Sequence, residues 1–150
     1  MSEPVSIPPV VKKLRLNAPA EKAFHHFTQN IHLWWPLSTH SLAQNEAISV
    51  VFEARKGGRI FETTRDGKQR DWGTVLECDA PNRIVFSWVL EDLPNATEIE
   101  VEIEEEAQGG CILTLTHRGW ETREAGEKWR DNYQSGWDGV LAAYSKSLTP

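Results

Sequence analysis

Glu62 and His117 are the two ionisable side chains that strand alternation places best for chemistry. Glu62 shares a predicted strand face with Ile60, and His117 shares one with Leu115, so both are expected to point toward the core. A carboxyl group and an imidazole that reach one cavity can fix a ligand by hydrogen bonds; if a reaction is catalysed, they are the predicted general acid and base. A structural alternative stays open, in which His117 bonds a backbone carbonyl and Glu62 pairs with an arginine. The candidate arginines are Arg59, Arg65 and Arg118.

Seven tryptophans among 150 residues supply the walls that such a cavity needs. Pockets for small molecules combine aromatic walls with a few polar groups. Packing of the same aromatics into a core without a ligand is the other interpretation. The residues predicted to line a ligand site are Glu62, Trp72, Trp88, His117, Trp120, Tyr133 and Trp137, with Trp72 nearer the mouth beside Trp34 and Trp35.

Other kinds of catalytic or metal site are not indicated by the sequence. Gly57-Gly58-Arg59 lacks the spacing of a phosphate-binding loop and is interpreted as a turn. The five histidines lack the spacing of a zinc protease, and Cys78 and Cys111 are too far apart for a zinc site or a disulfide scaffold. No cofactor and no metal are therefore expected.

Composition and charge disfavour several classes of partner. A formal net charge of -6 argues against nucleic acid and anionic membranes, because phosphate contacts need a basic surface. The first residues lack the pattern of a signal peptide, and no run approaches the roughly 18 apolar residues of a membrane span. Since only two cysteines are present, a reduced, cytoplasmic protein is expected.

One amphipathic helix, predicted over Ala125–Leu148, positions the aromatic residues near the end of the chain. Gly136 and Gly139 lie within it, and each costs roughly 1 kcal/mol relative to alanine. Close backbone packing and space for a guest molecule are the two explanations that stay open. The apolar stripe, which recurs at helical spacing, consists of Trp129, Tyr133, Trp137, Val140, Leu141, Tyr144 and Leu148.

Short strands are predicted for most of the remaining chain. A first strand covers Val10–Leu16, and a helix begins near Pro19, whose missing N–H is harmless in a first helical turn. From Ile48 the apolar residues alternate with a period of two, so that Ile48, Val50, Phe52 and Ala54 share a face, and turn residues separate the segments. The later segments are a strand that begins at 48, then 59–65, 70–79, 83–90, 97–106 and 111–117. The order strand, helix, about six antiparallel strands and helix predicts an α+β fold.

A series of short motifs extends from about Val10 to Leu148. They are Ala18-Pro-Ala-Glu-Lys-Ala-Phe24, Trp34-Trp35-Pro36, Gly57-Gly58-Arg59 with Glu62, Asp71-Trp72-Gly73-Thr74-Val75, the segment from Ala80 to Trp88, Leu115-Thr-His-Arg-Gly-Trp120, and Tyr133 followed by Gly136-Trp137. In this order they resemble the START-like superfamily, which has the helix-grip fold and is also called SRPBCC. The chain is most similar to the branch related to activators of the heat-shock-protein-ninety ATPase.

This resemblance implies a curved antiparallel sheet wrapped around the last helix, with a cavity for a small hydrophobic, aromatic or acyl ligand between them. Residues 1–9 are then a flexible lead, and residues 10–150 form a single START-like ligand-binding domain. A few members of the superfamily are cyclases or dehydratases, so catalysis is the less expected function. The cochaperones of the branch carry a further N-terminal domain, whereas nine residues precede the first strand here. A protein-interaction module that acts on a chaperone is therefore the second expectation.

An acidic strand face is the feature that a protein partner could recognise. Four glutamates alternate with apolar residues in the strand predicted at 97–106, so they share one face. That face is either solvated or a docking surface for a basic partner. The four are Glu98, Glu100, Glu102 and Glu104.

Overall fold

The structure of the protein is a computed structural model, and it describes residues 7–36, 46–89, 96–122 and 126–148. Two short 3-10 turns, Ile31–Leu33 and Trp120–Thr122, precede β2 and α2 respectively. The main elements are β1 (Val10–Leu16), α1 (Ala20–Thr28), β2 (Ala47–Phe52), β3 (Arg59–Thr64), β4 (Gln69–Asp79), β5 (Arg83–Trp88), β6 (Thr97–Glu105), β7 (Cys111–Arg118) and α2 (Gly126–Leu148).

All seven strands form one antiparallel sheet in the order β1-β7-β6-β5-β4-β3-β2. The strands from β2 to β7 are sequential neighbours, and β1 closes the series by pairing with β7. The sheet curls into a half-barrel against the C-terminal helix, so the predicted α+β helix-grip fold is confirmed. The predicted strand limits agree closely with the observed ones, although β5 ends at Trp88 and Leu90 lies outside the described residues.

Alternation of side chains along the strands separates the core from the surface. In β7, residues Cys111, Leu113, Leu115 and His117 are buried, and the residues between them are half-buried. Directly opposite residues of antiparallel strands share a face, so the buried set of β7 continues onto Ile99 and the other inward residues of β6. The concave face of the sheet is therefore the face that carries the core.

The helix α2 covers this concave face with its apolar stripe. Trp137 and Tyr144 are almost fully buried, whereas Trp129 and Tyr133, nearer the start of the helix, are only partly buried. The Tyr144 hydroxyl donates a hydrogen bond of 2.8 Å to the carbonyl oxygen of Ala23, which ties α2 to α1. Ala125, the predicted first residue of this helix, lies outside the described residues.

The two helix glycines do not serve close backbone packing. A Cβ atom built on Gly136 or on Gly139 meets no described atom within 4 Å. Gly139 is exposed to solvent, while Gly136 is half-buried and has open space beside it. Of the two explanations, space for a guest therefore remains compatible with the structure, and only at Gly136.

One residue departs from the alternation expected in β2. Ile48 is predicted to share the inward face of Val50 and Phe52, yet it is 56% exposed. The register of β2 against β3 shifts between Ala47 and Ser49, so the residues before Val50 do not follow the simple period. A bulge of this kind rotates the strand end and is the physical reason for the difference.

Candidate functional site

Glu62 is placed on the concave face by the alternation of β3. Its neighbours on that face, Ile60 and Thr64, are buried, and Glu62 itself is 0% exposed. The indole Nε1 of Trp72 donates a hydrogen bond of 2.6 Å to Glu62 Oε1. A buried carboxyl group needs such a donor, because burial without hydrogen bonds is strongly unfavourable. The predicted inward orientation of Glu62 is therefore observed, together with a partner that the sequence did not indicate.

Trp72 reaches Glu62 because of a bulge in β4. Ile60 pairs with Gly73 and Phe61 pairs with Asp71, so Trp72 is the extra residue between them. Gly73 allows the bulge to lie against β5, since a Cβ at this position would be 1.8 Å from the carbonyl oxygen of Ser87. Bulges commonly re-aim a side chain beside a functional site. Trp72 is fully buried, not at a mouth as the sequence suggested.

Four indole rings form what we call the tryptophan cluster: Trp35, Trp72, Trp88 and Trp137. Ring centroids are 5.2 Å apart for Trp35 and Trp72, 5.7 Å for Trp35 and Trp88, and 6.0 Å for Trp35 and Trp137. Trp88 also contacts Trp72 at 5.7 Å and Trp137 at 6.0 Å. The cluster joins β4, β5 and α2 through the ring of Trp35, which follows the 3-10 turn after α1.

Trp88 and Trp137 also make polar contacts with Thr97 and His117, and we call these four residues the histidine network. The Trp137 indole donates to His117 Nδ1 at 3.1 Å, and His117 Nε2 lies 2.6 Å from the Thr97 hydroxyl oxygen. Because an indole N–H can only donate, Nδ1 is an acceptor and the ring hydrogen is on Nε2. Nε2 therefore donates to Thr97, whose hydroxyl donates to the Trp88 carbonyl oxygen at 3.4 Å.

Trp120 and Tyr133 enclose the ring of His117. Trp120 is fully buried, with its ring centroid 4.2 Å from that of His117, and its Nε1 donates to the His117 carbonyl oxygen at 2.9 Å. The Tyr133 ring lies 4.9 Å from His117 in an edge arrangement. The Tyr133 hydroxyl accepts a hydrogen bond of 3.1 Å from Trp88 Nε1. Five of the predicted lining residues are thus connected: Trp88, His117, Trp120, Tyr133 and Trp137.

Glu62 and His117 face the same side of the sheet, as predicted, but their described hydrogen bonds go to different residues: Glu62 bonds Trp72, whereas His117 bonds Thr97 and Trp137. They lie on β3 and β7, and β4, β5 and β6 lie between those two strands in the sheet. Rings of the tryptophan cluster lie between the two groups. This arrangement does not support a joint acid and base role on one atom of a small ligand.

The described side-chain contacts of His117 and Glu62 also differ from those of the structural alternative, in which His117 bonds a backbone carbonyl and Glu62 pairs with an arginine. His117 bonds the side chains of Thr97 and Trp137, and its own backbone carbonyl accepts from Trp120. The guanidinium group of Arg59 bonds Asp71 on the convex side of the sheet. For Glu62 the observed donor is Trp72.

Two tryptophans beside the predicted mouth have different positions. Trp34 packs between the helices, with its ring 5.0 Å from Tyr144 and its Nε1 bonded to the carbonyl oxygen of His26 at 2.8 Å. Trp35 lies at the centre of the tryptophan cluster and is 7% exposed. Nothing in the sequence distinguishes these neighbours, because both lie in a segment without a clear period.

Thr97 is the functional candidate that sequence reasoning missed. It begins β6 directly opposite Trp88 and is 2% exposed. Its only sequence signal is its place in the alternation with Ile99, which puts it on the concave face. A threonine at a strand end commonly faces solvent, so the hydrogen bond to His117 could not be anticipated.

The acidic face of β6 is partly neutralised by arginines. Arg118 bonds Glu98 at 2.6 Å and Glu100 at 2.8 Å, and Arg83 bonds Glu100 at 2.5 Å. The hydrogen bond from Arg118, together with that from Arg83, holds the pKa of the Glu100 carboxyl below its usual range although burial acts in the opposite direction. A docking surface for a basic partner is therefore limited to the exposed pair, Glu102 and Glu104.

Within residues 7–36, 46–89, 96–122 and 126–148, no group of three or more metal-binding side chains comes together. In the same part of the chain, no helix has the length and apolar character needed to cross a membrane.

The sequence matches one family model over nearly its full length. The family is described as activator of Hsp90 ATPase homolog 1-like protein, and the match covers residues 17–146. A search of curated proteins gave no match.

Solved structures with the same fold are numerous. An anthrahydroquino-gamma-pyrone synthase, Txn09, solved as a complex, is 29% identical with a TM-score of 0.64, and the alignment covers 95% of this chain and 97% of that one. CalU16 from Micromonospora echinospora is 23% identical with a TM-score of 0.66, over 97% of this chain and 82% of that one. A Bacillus halodurans protein, BH1534, is 17% identical with a TM-score of 0.68, over 95% and 98%. The last two similarities show the fold alone.

Proposed function

We propose that this chain, which belongs to the family of activator of Hsp90 ATPase homolog 1-like proteins, binds a small hydrophobic ligand with a planar aromatic body between the sheet and α2. The observation that carries the proposal is the tryptophan cluster with the carboxyl group of Glu62 at its edge. Flat rings stack on indoles, and one polar group among them gives a ligand its orientation. The 29% identical synthase, named for an aromatic pyrone, supports a planar ligand.

A ligand enters the cluster by taking the place of one of its rings. Trp35 and Trp88 each contact the other three indoles, so a planar guest needs a ring to move. Trp72, Trp88 and Trp137 are held on β4, β5 and α2, whereas Trp35 follows a 3-10 turn and belongs to neither a strand nor an α-helix. We assign Trp35 as the ring that a ligand displaces.

The polar residues of the site have separate parts in this proposal. Both ring nitrogens of His117 are engaged by Trp137 and Thr97, so His117 holds the walls in place. Glu62 lies at the opposite end of the cluster, where its carboxyl group orients polar substituents of the ligand. Binding, and not a reaction that needs both residues at one atom, is the function that this geometry supports.

Quenching of tryptophan fluorescence tests the proposal. The ligand panel contains a fatty acid, a flavonoid and a hydroxylated anthraquinone, and a shift in melting temperature serves as a second readout. We expect the flat aromatic ligands to quench the fluorescence and to raise the melting temperature, since a ligand that binds only the folded state stabilises it. The fatty acid is expected to have the smaller effect.

Two tryptophan variants separate binding in the cluster from binding elsewhere. Trp88→Phe changes a wall of the cluster, while Trp129→Phe changes a half-buried ring outside it. Affinity measured by calorimetry should fall for Trp88→Phe and remain near the wild-type value for Trp129→Phe. If no ligand of the panel changes the fluorescence or the melting temperature of the wild type, the proposed function is wrong.

A further inference from the structure

The hydroxyl group of Tyr133 has one hydrogen-bonding role that is fixed and one that is open. Trp88 Nε1 lies 3.1 Å from the Tyr133 oxygen, and because an indole can only donate, the phenol oxygen is the acceptor in this contact. The phenolic hydrogen must then point away from Trp88. Within the described part of the chain no group accepts that hydrogen.

The donor position of Tyr133 is rigid. Trp88 is held at its other end, since its carbonyl oxygen accepts from Thr97, which in turn is bonded to His117. The tyrosine ring is fixed between His117 at 4.9 Å and Trp120 at 5.2 Å. A donor held in this way loses little conformational entropy when a ligand accepts its hydrogen.

Open space lies on the same side of α2. Gly136 is three residues after Tyr133, and residues at this spacing are neighbours on a helix surface. Gly136 is half-buried, and a Cβ built on it meets no described atom within 4 Å. Tyr133 and Gly136 therefore border open space on this side of α2, which we call the notch, and the rings of Trp137 and Trp88 contact Tyr133 beside it.

We infer that Tyr133 donates its phenolic hydrogen to an acceptor oxygen of the ligand, and that the ligand is a planar aromatic compound that bears a carbonyl group. The inference rests on the proposed function, because it names the ligand class for the same site. A ligand hydroxyl or amine also brings a hydrogen that would need an acceptor of its own, whereas a carbonyl oxygen only accepts, so a carbonyl oxygen is the better match for this donor. Tyr133 is thus the residue that sets specificity between flat ligands of similar size.

A matched pair of ligands isolates this hydrogen bond. Anthraquinone-2-sulfonate and anthracene-2-sulfonate have the same three-ring outline and the same charge, and they differ in the carbonyl groups. Their affinities are measured for the wild type and for Tyr133→Phe. We expect Tyr133→Phe to lower the affinity for anthraquinone-2-sulfonate about 5- to 10-fold, as for loss of one neutral hydrogen bond. The affinity for anthracene-2-sulfonate should change by less than about 2-fold.

The second tyrosine of the chain provides the matched control. Tyr144→Phe also removes one hydroxyl, but that hydroxyl donates to Ala23 between the helices. This variant should lower the melting temperature and leave the ratio of the two affinities at its wild-type value. If Tyr133→Phe lowers the affinity for both ligands equally, or changes neither affinity, the inference is overturned while the proposed function stands. If the wild type binds neither sulfonate and none of the panel, both proposals fail.

Discussion

The carboxyl group of Glu62 and the indole of Trp72 depend on each other in the interior. Both side chains are fully buried, and the 2.6 Å hydrogen bond between them replaces contacts that each would make with water. Removal of one partner leaves the other without its bond, which costs more than the bond itself contributes. The pair therefore stabilises the position of Trp72 as well as presenting a polar group to the proposed ligand.

A comparison of Glu62→Gln with Glu62→Ala tests this dependence. Glutamine keeps an acceptor oxygen for Trp72, so the free energy of unfolding should change by less than about 1 kcal/mol. Alanine leaves the indole N–H unsatisfied, and the loss should be larger by about 1–3 kcal/mol. Urea denaturation measures both variants, and a cycle with Trp72→Phe gives the coupling between the residues. Equal stability of the glutamine and alanine variants would show that the hydrogen bond contributes nothing.

The histidine network explains why an ionisable side chain tolerates complete burial. His117 donates from Nε2 and accepts at Nδ1, so the neutral ring satisfies both neighbours at once. A protonated ring would present a hydrogen to Trp137, which has only a hydrogen to offer in return. The aromatic rings around His117 are thus positioned by a single tautomer.

At the scale of elements, α2 combines a buried stripe with an unusual surface. Two glycines in one helix weaken it, yet neither is required by a close contact with a described atom. Gly139 lies on the exposed side, and Gly136 borders the notch beside Tyr133. The helix is therefore less stable than its stripe of apolar residues would allow.

Replacement of each glycine by alanine should separate stability from binding. Gly136→Ala and Gly139→Ala are each expected to raise the free energy of unfolding by up to about 1 kcal/mol, because alanine is the better helix former. Only Gly136→Ala should weaken binding of the aromatic ligand, since the methyl group of the alanine enters the notch. Thermal unfolding and fluorescence titration measure the two effects. A loss of stability in Gly136→Ala would mean that the space beside it is not open.

The contact between α1 and α2 is expected to respond to pH through His26. Its Nε2 lies 3.0 Å from the Ser147 hydroxyl, and burial, followed by the positive charges of Lys22 and His25, lowers the pKa of His26 below its ordinary value. In the unfolded chain this histidine has its usual pKa of about 6.5, so the unfolded state takes up the proton first as the pH falls. The stabilising contribution is therefore complete above about pH 6.5 and decreases through the lower folded pKa.

Measurement of unfolding free energy between about pH 5 and 8 tests this expectation. The wild type should lose stability as the pH falls below about 6.5, and His26→Gln should show a flatter profile over the same interval. His32 is exposed, so His32→Gln serves as the control and should keep the wild-type slope. An unchanged slope in His26→Gln would assign the pH dependence to another group.

For the whole molecule, the sequence predicted the architecture better than the site. Period-two alternation is a property of each strand by itself, so it placed Glu62 and His117 on one face correctly. The contacts of that face depend on the register between strands. The bulge that inserts Trp72, and the opposition of Trp88 and Thr97, arise from pairing of distant segments, which a single strand does not encode. Trp35 could not be placed because it belongs to neither a strand nor an α-helix.

The ring of Trp35 connects the sheet to α2. It contacts Trp72 on β4, Trp88 on β5 and Trp137 on α2, and so it occupies the position that we assign to a ligand ring. Trp35→Ala should leave a cavity in the tryptophan cluster, and removal of a buried aromatic ring costs about 3–5 kcal/mol. A free indole molecule that fills this cavity should restore part of the loss, because binding to the folded state alone stabilises it.

Thermal unfolding of Trp35→Ala with and without indole measures this exchange of one ring for another. Each kcal/mol regained should raise the melting temperature by about 2–4 °C for a domain of this size. Trp129→Ala is the matched control, since the ring of Trp129 is half-buried outside the cluster and indole should not rescue its loss. Trp35→Leu, which leaves a smaller cavity, keeps the experiment informative if the alanine variant does not fold. If indole has the same effect on all of these variants, the position of Trp35 does not accept a planar guest, and the ligand must bind elsewhere.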